Sequence, residues 1–275
     1  MLLNLKELLD YTNGKEFAIP AFNVYNMETV MGIMAAAEET NAPVIIQCYS
    51  RLFTNGEGAY VAPLAVAAAE MAHTPVCFHL DHGAGEAEVM KALRGGATGI
   101  MIDGSAYTFE ENVALTKRVR KLCDALGVPV EAELGHVGTV NDEHMADFTE
   151  VSDAVKFVQE TGVASLAVMV GTAHGRYKKA PRLDMQRIRD ISRETGIPIV
   201  LHGGSGVPDD QIKEAIKCGI RKVNFGTDVC YSFLDKVFET SRDKVAIDMF
   251  MKDAVQNVKN FAVNKIKLLG ADNKA

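Results

Sequence analysis

The chain has no paired cysteines: Cys48, Cys77, Cys123, Cys218 and Cys230 are odd in number, scattered and never spaced C-x-x-C. That spacing argues against a disulfide framework and against a cysteine zinc site, and it fits reduced thiols in a cytoplasm. No stretch reaches the ~18 apolar residues of a membrane span. The start, MLLNLKELLDYTNGKEF, lacks a basic leader followed by a continuous apolar run, so a soluble, unprocessed protein is expected. Neither end carries a block of Lys or Arg. With 29 basic and 36 acidic residues the net charge is -7, which makes nucleic acid and anionic membrane poor partners. No G-x-G-x-x-G follows the first apolar run, which lowers a dinucleotide-binding reading, and no linker, low-complexity segment or solenoid repeat divides the chain.

What is present is an alternation. Eight short runs rich in Val, Ile and Phe recur: FAIPAFNV, PVIIQCY, PVCFHLD, GIMID, PVEAELG, SLAVMV, PIVLHGG and KVNFGTD. Between them lie segments of helical spacing, such as METVMGIMAAAEETN and FEENVALTKRVRKLCDALG. Each is long enough for a crossover, so the runs should pair in parallel. Stops such as Gly127-Val128-Pro129 and Gly196-Ile197-Pro198 end a helix and open the next extended segment. Runs apolar throughout fit strands covered on both faces. Eight such units in 275 residues, 48% hydrophobic, predict an α/β fold closed into a (β/α)8 TIM barrel, with extra C-terminal helices from about residue 241 to 270.

In such a barrel the chemistry gathers at the C-terminal strand ends, and here those ends are polar. Run three ends Leu80-Asp81-His82, run four Ile102-Asp103 and run five Glu131-Ala132-Glu133. Run six leads into Gly171-Thr172-Ala173-His174-Gly175, and run seven ends Leu201-His202-Gly203-Gly204-Ser205. His82, His174 and His202 on three strand ends can converge on one ion, leaving a coordination position open, the pattern of a catalytic zinc. Taken singly, each is as well explained as a hydrogen-bonded strand terminus. His73 and His144 read as solvated, His136 as bordering the site without a role, and His79 as a buried barrel residue or a partner of a ligand.

Turns at Gly203-Gly204-Ser205-Gly206 and Asn224-Phe225-Gly226-Thr227 follow runs seven and eight, where barrels place phosphate against backbone N–H groups and helix N-termini. A metal beside a phosphate grip, with Asp81, Asp103 and Glu133 nearby, suits a phosphorylated carbonyl compound. A Schiff-base aldolase needs a lysine inside the barrel. Runs one to seven contain none, and Lys222 opens run eight at the opposite end.

Together PAFNVYNMET, FHLDHG, MIDGS, EAELG, GTAHGRY with P-x-L-D after it, LHGGSG and KVNFGTD resemble the class II, zinc-dependent ketose-bisphosphate aldolases, closest to the tagatose- and fructose-bisphosphate enzymes. The resemblance implies one class II aldolase barrel domain over residues 1–275, reversibly cleaving a phosphorylated ketose to dihydroxyacetone phosphate and an aldehyde. It implies Zn2+ on His82, His174 and His202, and Asp81 exchanging a proton with the aldehyde oxygen. Asp103 and Glu133 match carboxylates that can hold a second or displaced metal ion. Gly175, Gly203, Gly204, Ser205, Asn224, Phe225, Gly226 and Thr227 match segments that bind dihydroxyacetone phosphate, and Asn23 and Ser50 match positions near the substrate. Gly175 and Gly203 also resemble positions whose carbonyls hold Na+ or K+. A homodimer or homotetramer is implied.

Two departures stand out. Where the family's loop carries a proton-handling glutamate, this chain has Asn141, so Asp142 or Glu143 takes over after a loop shift or the proton route differs. Where many fructose-specific members place an arginine for the far phosphate, the segment reads Ala246-Ile247-Asp248-Met249-Phe250. The substrate can therefore be another phosphorylated ketose or keto-sugar acid. A non-catalytic barrel subunit supporting a partner aldolase is the alternative reading; a barrel metallohydrolase fits less well, since run one lacks His-x-His.

Overall fold

A computed structural model describes residues 1–139, 148–175, 177 and 179–275. The eight runs are the eight strands: β1 (Ile19–Asn23), β2 (Val44–Tyr49), β3 (Val76–Gly83), β4 (Gly99–Ile102), β5 (Val130–Leu134), β6 (Ser165–Val168), β7 (Ile199–Leu201) and β8 (Ile220–Phe225). They close in chain order into a barrel, each parallel to its neighbour, with β8 returning to β1 through Ile19 opposite Lys222 and Phe22 opposite Phe225.

Local chemistry sets the helix bounds. Met27–Thr40 and Phe109–Asp124 open on reciprocal capping boxes, Asn26 with Thr29 and Thr108 with Glu111, worth about 1 kcal/mol each. Met27–Thr40 stops where Asn41 turns left-handed at φ 47°, ahead of Pro43, which starts the next extended segment. After β8 comes the helix Thr227–Glu239, and the C-terminal addition expected from about residue 241 to 270 is a single helix, Ile247–Leu268. The latter lies on Met27–Thr40 so closely that a Cβ on Gly32 would come within 2.8 Å of Val258. It also seals the β8–β1 seam, where Phe22 and Phe225 stack at 5.7 Å and Phe261 meets both edge-on at 6.2 Å. Below, the helix Leu5–Leu9, which the periodicity did not reveal, packs under β3 and β4, with Leu5 N donating to Thr98 O. Among the described residues no helix is long and apolar enough to cross a membrane.

The strands are less apolar inside than their composition suggests. Gln47, His79, Glu131 and Lys222 are all fully buried. Lys222 lies at the end of the barrel opposite the mouth, as expected, but its side chain turns inward. It is the third residue of β8, and its Nζ donates to both oxygens of Glu131 at 2.9 Å. Bound there, it does not reach the cavity at the mouth.

A candidate metal and substrate site at the barrel mouth

β3 and the segments after β6 and β7 deliver the three histidines. Their ring centroids lie 4.7 Å (His82 to His202), 4.9 Å (His82 to His174) and 6.0 Å (His174 to His202) apart. Each offers a nitrogen within 4.8 Å of those of the other two. Nε2 of His82, Nε2 of His174 and Nδ1 of His202 are buried with no hydrogen-bond partner among the described residues. Leaving such an atom unmet costs on the order of 1–3 kcal/mol, and among the described residues only Nδ1 of His202, 3.2 Å from Glu133 Oε2, has a carboxylate near enough to offset it when protonated. A shared cation removes all three costs at once.

For His82 and His202 the other ring nitrogen is spoken for, and that fixes which of their atoms face inward. His82 Nδ1 lies 2.7 Å from Asp103 Oδ2. His202 Nε2 lies 3.2 Å from Glu131 Oε1, the carboxylate held by Lys222 and by Ser165 Oγ. Outer partners of this kind select the tautomer and orient the ring. The backbone also contributes: His82 adopts φ 49° where β3 slips register against β4 between Leu80 and Gly83. A buried non-glycine residue in the left-handed region is a strained placement.

The charge balance points the same way. Asp81, Asp103 and Glu133 face the imidazoles and pair with no lysine or arginine among the described residues. Glu133 Oε1 accepts from Val137 N at 3.0 Å and Ser105 Oγ at 3.1 Å, while its Oε2 has no hydrogen-bond partner and lies 3.2 Å from His202 Nδ1. Burial disfavours a charged His82, yet Asp81, the bond to Asp103 and the charge of Glu133 outweigh it and raise its pKa to about 10. Burial and the neighbouring His82 and His202 push His174 down to about 3. An excess of carboxylate is thus answered by a proton or by a metal ion. His82, Asp103 and Glu133 form a second set within the same 4.8 Å limit, so the residues present fit a metal.

Asp81 has its own scaffold. Asn23 Nδ2 donates to Oδ2 at 2.8 Å and Asn224 Nδ2 to Oδ1 at 3.1 Å, while Gln47 Nε2 donates to Asn23 Oδ1 at 3.0 Å. Burial raises its pKa, but His82, His202, Lys222 and the Asn23 bond together hold it below the ordinary carboxylate value. An ionised carboxylate stands 4.0 Å from His82 Nε2, fixed by donors from β1 and β8.

The glycine turns lie beside it. Gly203 sits at φ 65°, and a Cβ there would come 2.5 Å from Ala173 O. The helix Thr227–Glu239 starts directly behind Gly226 and aims its N-terminus at the mouth. Tyr177 straps the two loops: Ala173 N donates to its hydroxyl at 2.7 Å, and the hydroxyl donates to Gly203 O at 3.0 Å. One of the two carbonyls expected to hold Na+ or K+ therefore already accepts a hydrogen bond. Gly203→Ala should cost at least about 1–2 kcal/mol from the backbone conformation alone and distort the turn beside the histidines. Chemical denaturation checks this; an unchanged midpoint would count against the tight approach.

The mouth is a cavity of about 590 Å³. Of the expected residues, Asn23, Asp81, His82, Asp103, His174, Gly175, Gly203, Ser205, Asn224, Gly226 and Thr227 line it. His202 and Glu133 lie beneath the floor, each in one of the two residue sets that could hold a metal ion. Three expected substrate contacts sit behind the wall. Phe225 is in the β8–β1 aromatic seam, Ser50 Oγ accepts from Ala84 N, and Gly204 N is spent on Asn224 O. Asn141 and Asp142 lie outside the described residues, as do Glu143 and His144. His136 lines the cavity, as its expected place at the border of the site requires, with Nδ1 3.0 Å from Ser105 Oγ, which itself lies 2.7 Å from Asp103. His79 is fully buried with neither ring nitrogen paired among the described residues. The sequence reading also missed Tyr25, Tyr49, Arg51 and Tyr177. Two carried a signal by lying in quoted motifs, Tyr25 in PAFNVYNMET and Tyr177 in GTAHGRY, three residues after His174.

Comparison with known proteins agrees with this geometry. Residues 3–274 match the sequence model of the class-II fructose-bisphosphate aldolases. The Escherichia coli K12 protein YdjI is 38% identical over 279 residues, covering all of both chains. The crystal structure of the YdjI aldolase superimposes with a TM-score of 0.90 at 36% identity over the whole of both chains. A putative fructose-1,6-bisphosphate aldolase from Coccidioides immitis gives 0.91 at 26% identity, covering 98% of this chain and 97% of that one. The Campylobacter jejuni fructose-bisphosphate aldolase, 24% identical with a TM-score of 0.83 over 100% of this chain and 97% of that one, shares the fold. From the motifs at its strand ends to the match over nearly its whole length, the chain belongs to the class-II fructose-bisphosphate aldolase family.

Proposed function

We propose that this protein is a zinc-dependent aldolase that reversibly cleaves a phosphorylated ketose to dihydroxyacetone phosphate and an aldehyde. The observation that carries the reading is the trio of buried, unpartnered imidazole nitrogens facing one another beside Asp81. When bound by His82, His174 and His202, a zinc ion supplies Lewis-acid polarisation of the ketone. The chain's own groups do the rest. The cavity-lining residues of the two turns, Gly203, Ser205, Asn224, Gly226 and Thr227, with the helix behind Gly226, bind the phosphate of the dihydroxyacetone half. Asp81, ionised and fixed by Asn23 and Asn224, takes the proton from the hydroxyl on the aldehyde-forming carbon as the adjacent C–C bond breaks. The electron pair left on C3 delocalises toward the carbonyl, and a proton then arrives at C3. Asp81 returns its proton in the synthetic direction.

The experiment is release of dihydroxyacetone phosphate from a panel of ketose 1-phosphates and 1,6-bisphosphates. Cleavage should vanish on chelation and return with Zn2+, while the fold persists. Full activity in metal-free protein overturns the reading. A protein that cleaves nothing yet activates another aldolase would replace it with a companion-subunit role.

A further inference from the structure

His174 is the least anchored of the three imidazoles. His82 belongs to β3 and His202 directly follows β7, whereas β6 ends at Val168, well short of His174. Asp103 and Glu131 hold the rings of His82 and His202, and no Asp or Glu among the described residues pairs with the ring of His174. Its aim is therefore set by the backbone that carries it. One tie comes from the β5 side, where His174 N donates to Gly138 O at 2.8 Å. The other is Tyr177.

The residue before His174 and the residue after His202 meet at one oxygen: Ala173 N donates to Tyr177 Oη at 2.7 Å, and Oη donates to Gly203 O at 3.0 Å. A hydroxyl accepts and donates at once, so this one group joins the two ligand-bearing segments. The pair it spans, His174 and His202, is the widest of the three at 6.0 Å between ring centroids. The Tyr177 ring is braced against the same turn, where a Cβ on Gly206 would lie 3.2 Å from its Cδ2. Burial raises the Tyr177 pKa to about 12, against the bond from Ala173 that lowers it, so the hydroxyl keeps its proton for Gly203 O. The proposed chemistry uses neither the ring nor the hydroxyl.

We propose that Tyr177 is a positioning residue for the metal centre: its hydroxyl pins the His174 segment to the turn after His202 and so holds the two imidazoles at the separation one shared ion requires. The assignment rests on the metal reading of the three histidines. Tyr177→Phe keeps the ring against Gly206 and removes the strap. Zinc affinity, measured by competition with a chromophoric chelator, should fall roughly 10- to 100-fold, the range for loss of an outer partner of a metal ligand. In a His174→Ala background the same substitution should change the affinity by less than about twofold, because it acts through His174. A purely structural role gives instead a lower denaturation midpoint for the metal-free variant with zinc affinity unchanged. That result overturns the role of Tyr177 and leaves the aldolase reading standing, as does an equal loss of affinity with and without His174. If Tyr177→Phe does not fold, hydrogen exchange on the unaltered metal-free protein decides: protection of the Ala173 amide supports the strap, and exchange at the rate of an unpaired amide overturns it. If the unaltered protein binds no zinc, both readings fall.

Discussion

Asp81→Asn lowers kcat for ketose phosphate cleavage by roughly 10²- to 10⁴-fold, the range expected for loss of a positioned general base. The substitution keeps the side chain's shape but removes its capacity to take a proton. It also sets an amide against the two amide donors of Asn23 and Asn224. Because His82, His174 and His202 are untouched, zinc content measured after dialysis should stay near one ion per chain set of three histidines. Steady-state kinetics combined with metal analysis therefore separates lost proton transfer from a lost metal. A kcat within tenfold of the unaltered enzyme would remove Asp81 from the proposed chemistry.

The second large effect concerns folding. Lys222→Met strands the Glu131 carboxylate in a fully buried position, and breaking a buried ion pair from one side typically costs about 3–5 kcal/mol. Burial pushes the Glu131 carboxyl up; the Lys222 charge, followed by the bond to His202, more than reverses this and holds it ionised. The double variant Glu131→Gln with Lys222→Met removes both charges together and should recover a large part of the loss. Denaturant titrations of the unaltered, two single and double variants give the coupling directly. If Lys222→Met alone proves as stable as the unaltered chain, the pair is not what satisfies the barrel interior. A second readout follows from His202: without its fixed acceptor the ring should bind zinc more weakly, by roughly 10- to 100-fold, measured by competition with a chromophoric chelator.

These two residues also mark where sequence reading succeeds and fails. Asp81 is legible because it adjoins His82 at a strand end, and the parallel barrel sends every such end to one face. The same rule exposes His174, His202, Asp103 and the glycine turns. The end of the strand that holds Lys222 was legible, but its inward turn was not, because period-two alternation inside an apolar run does not say which face is the lumen, and its partner Glu131 is 91 residues away. Tyr177 and Arg51 were missed for a related reason. A tyrosine bridging Ala173 to Gly203, or an arginine stacked on the residue two before it, has meaning only after closure has placed β2, β6 and β7 around a common axis. Phe225 shows the converse. Its place in a motif marked it for substrate, whereas its side chain was needed to close the seam with Phe22 and Phe261.

The left-handed backbone of His82, set in the register slip between Leu80 and Gly83, bears on any attempt to transplant this centre. Grafting the three histidines with Asp103 and Glu133 onto the strand ends of another barrel would copy the candidate ligand set and omit the kink that aims His82. On a regular strand the same imidazole would leave along the strand's normal direction and miss the other two. The portable unit is thus the β3 segment with its irregularity against β4, and a host barrel should be chosen for having that irregularity before any side chain is changed.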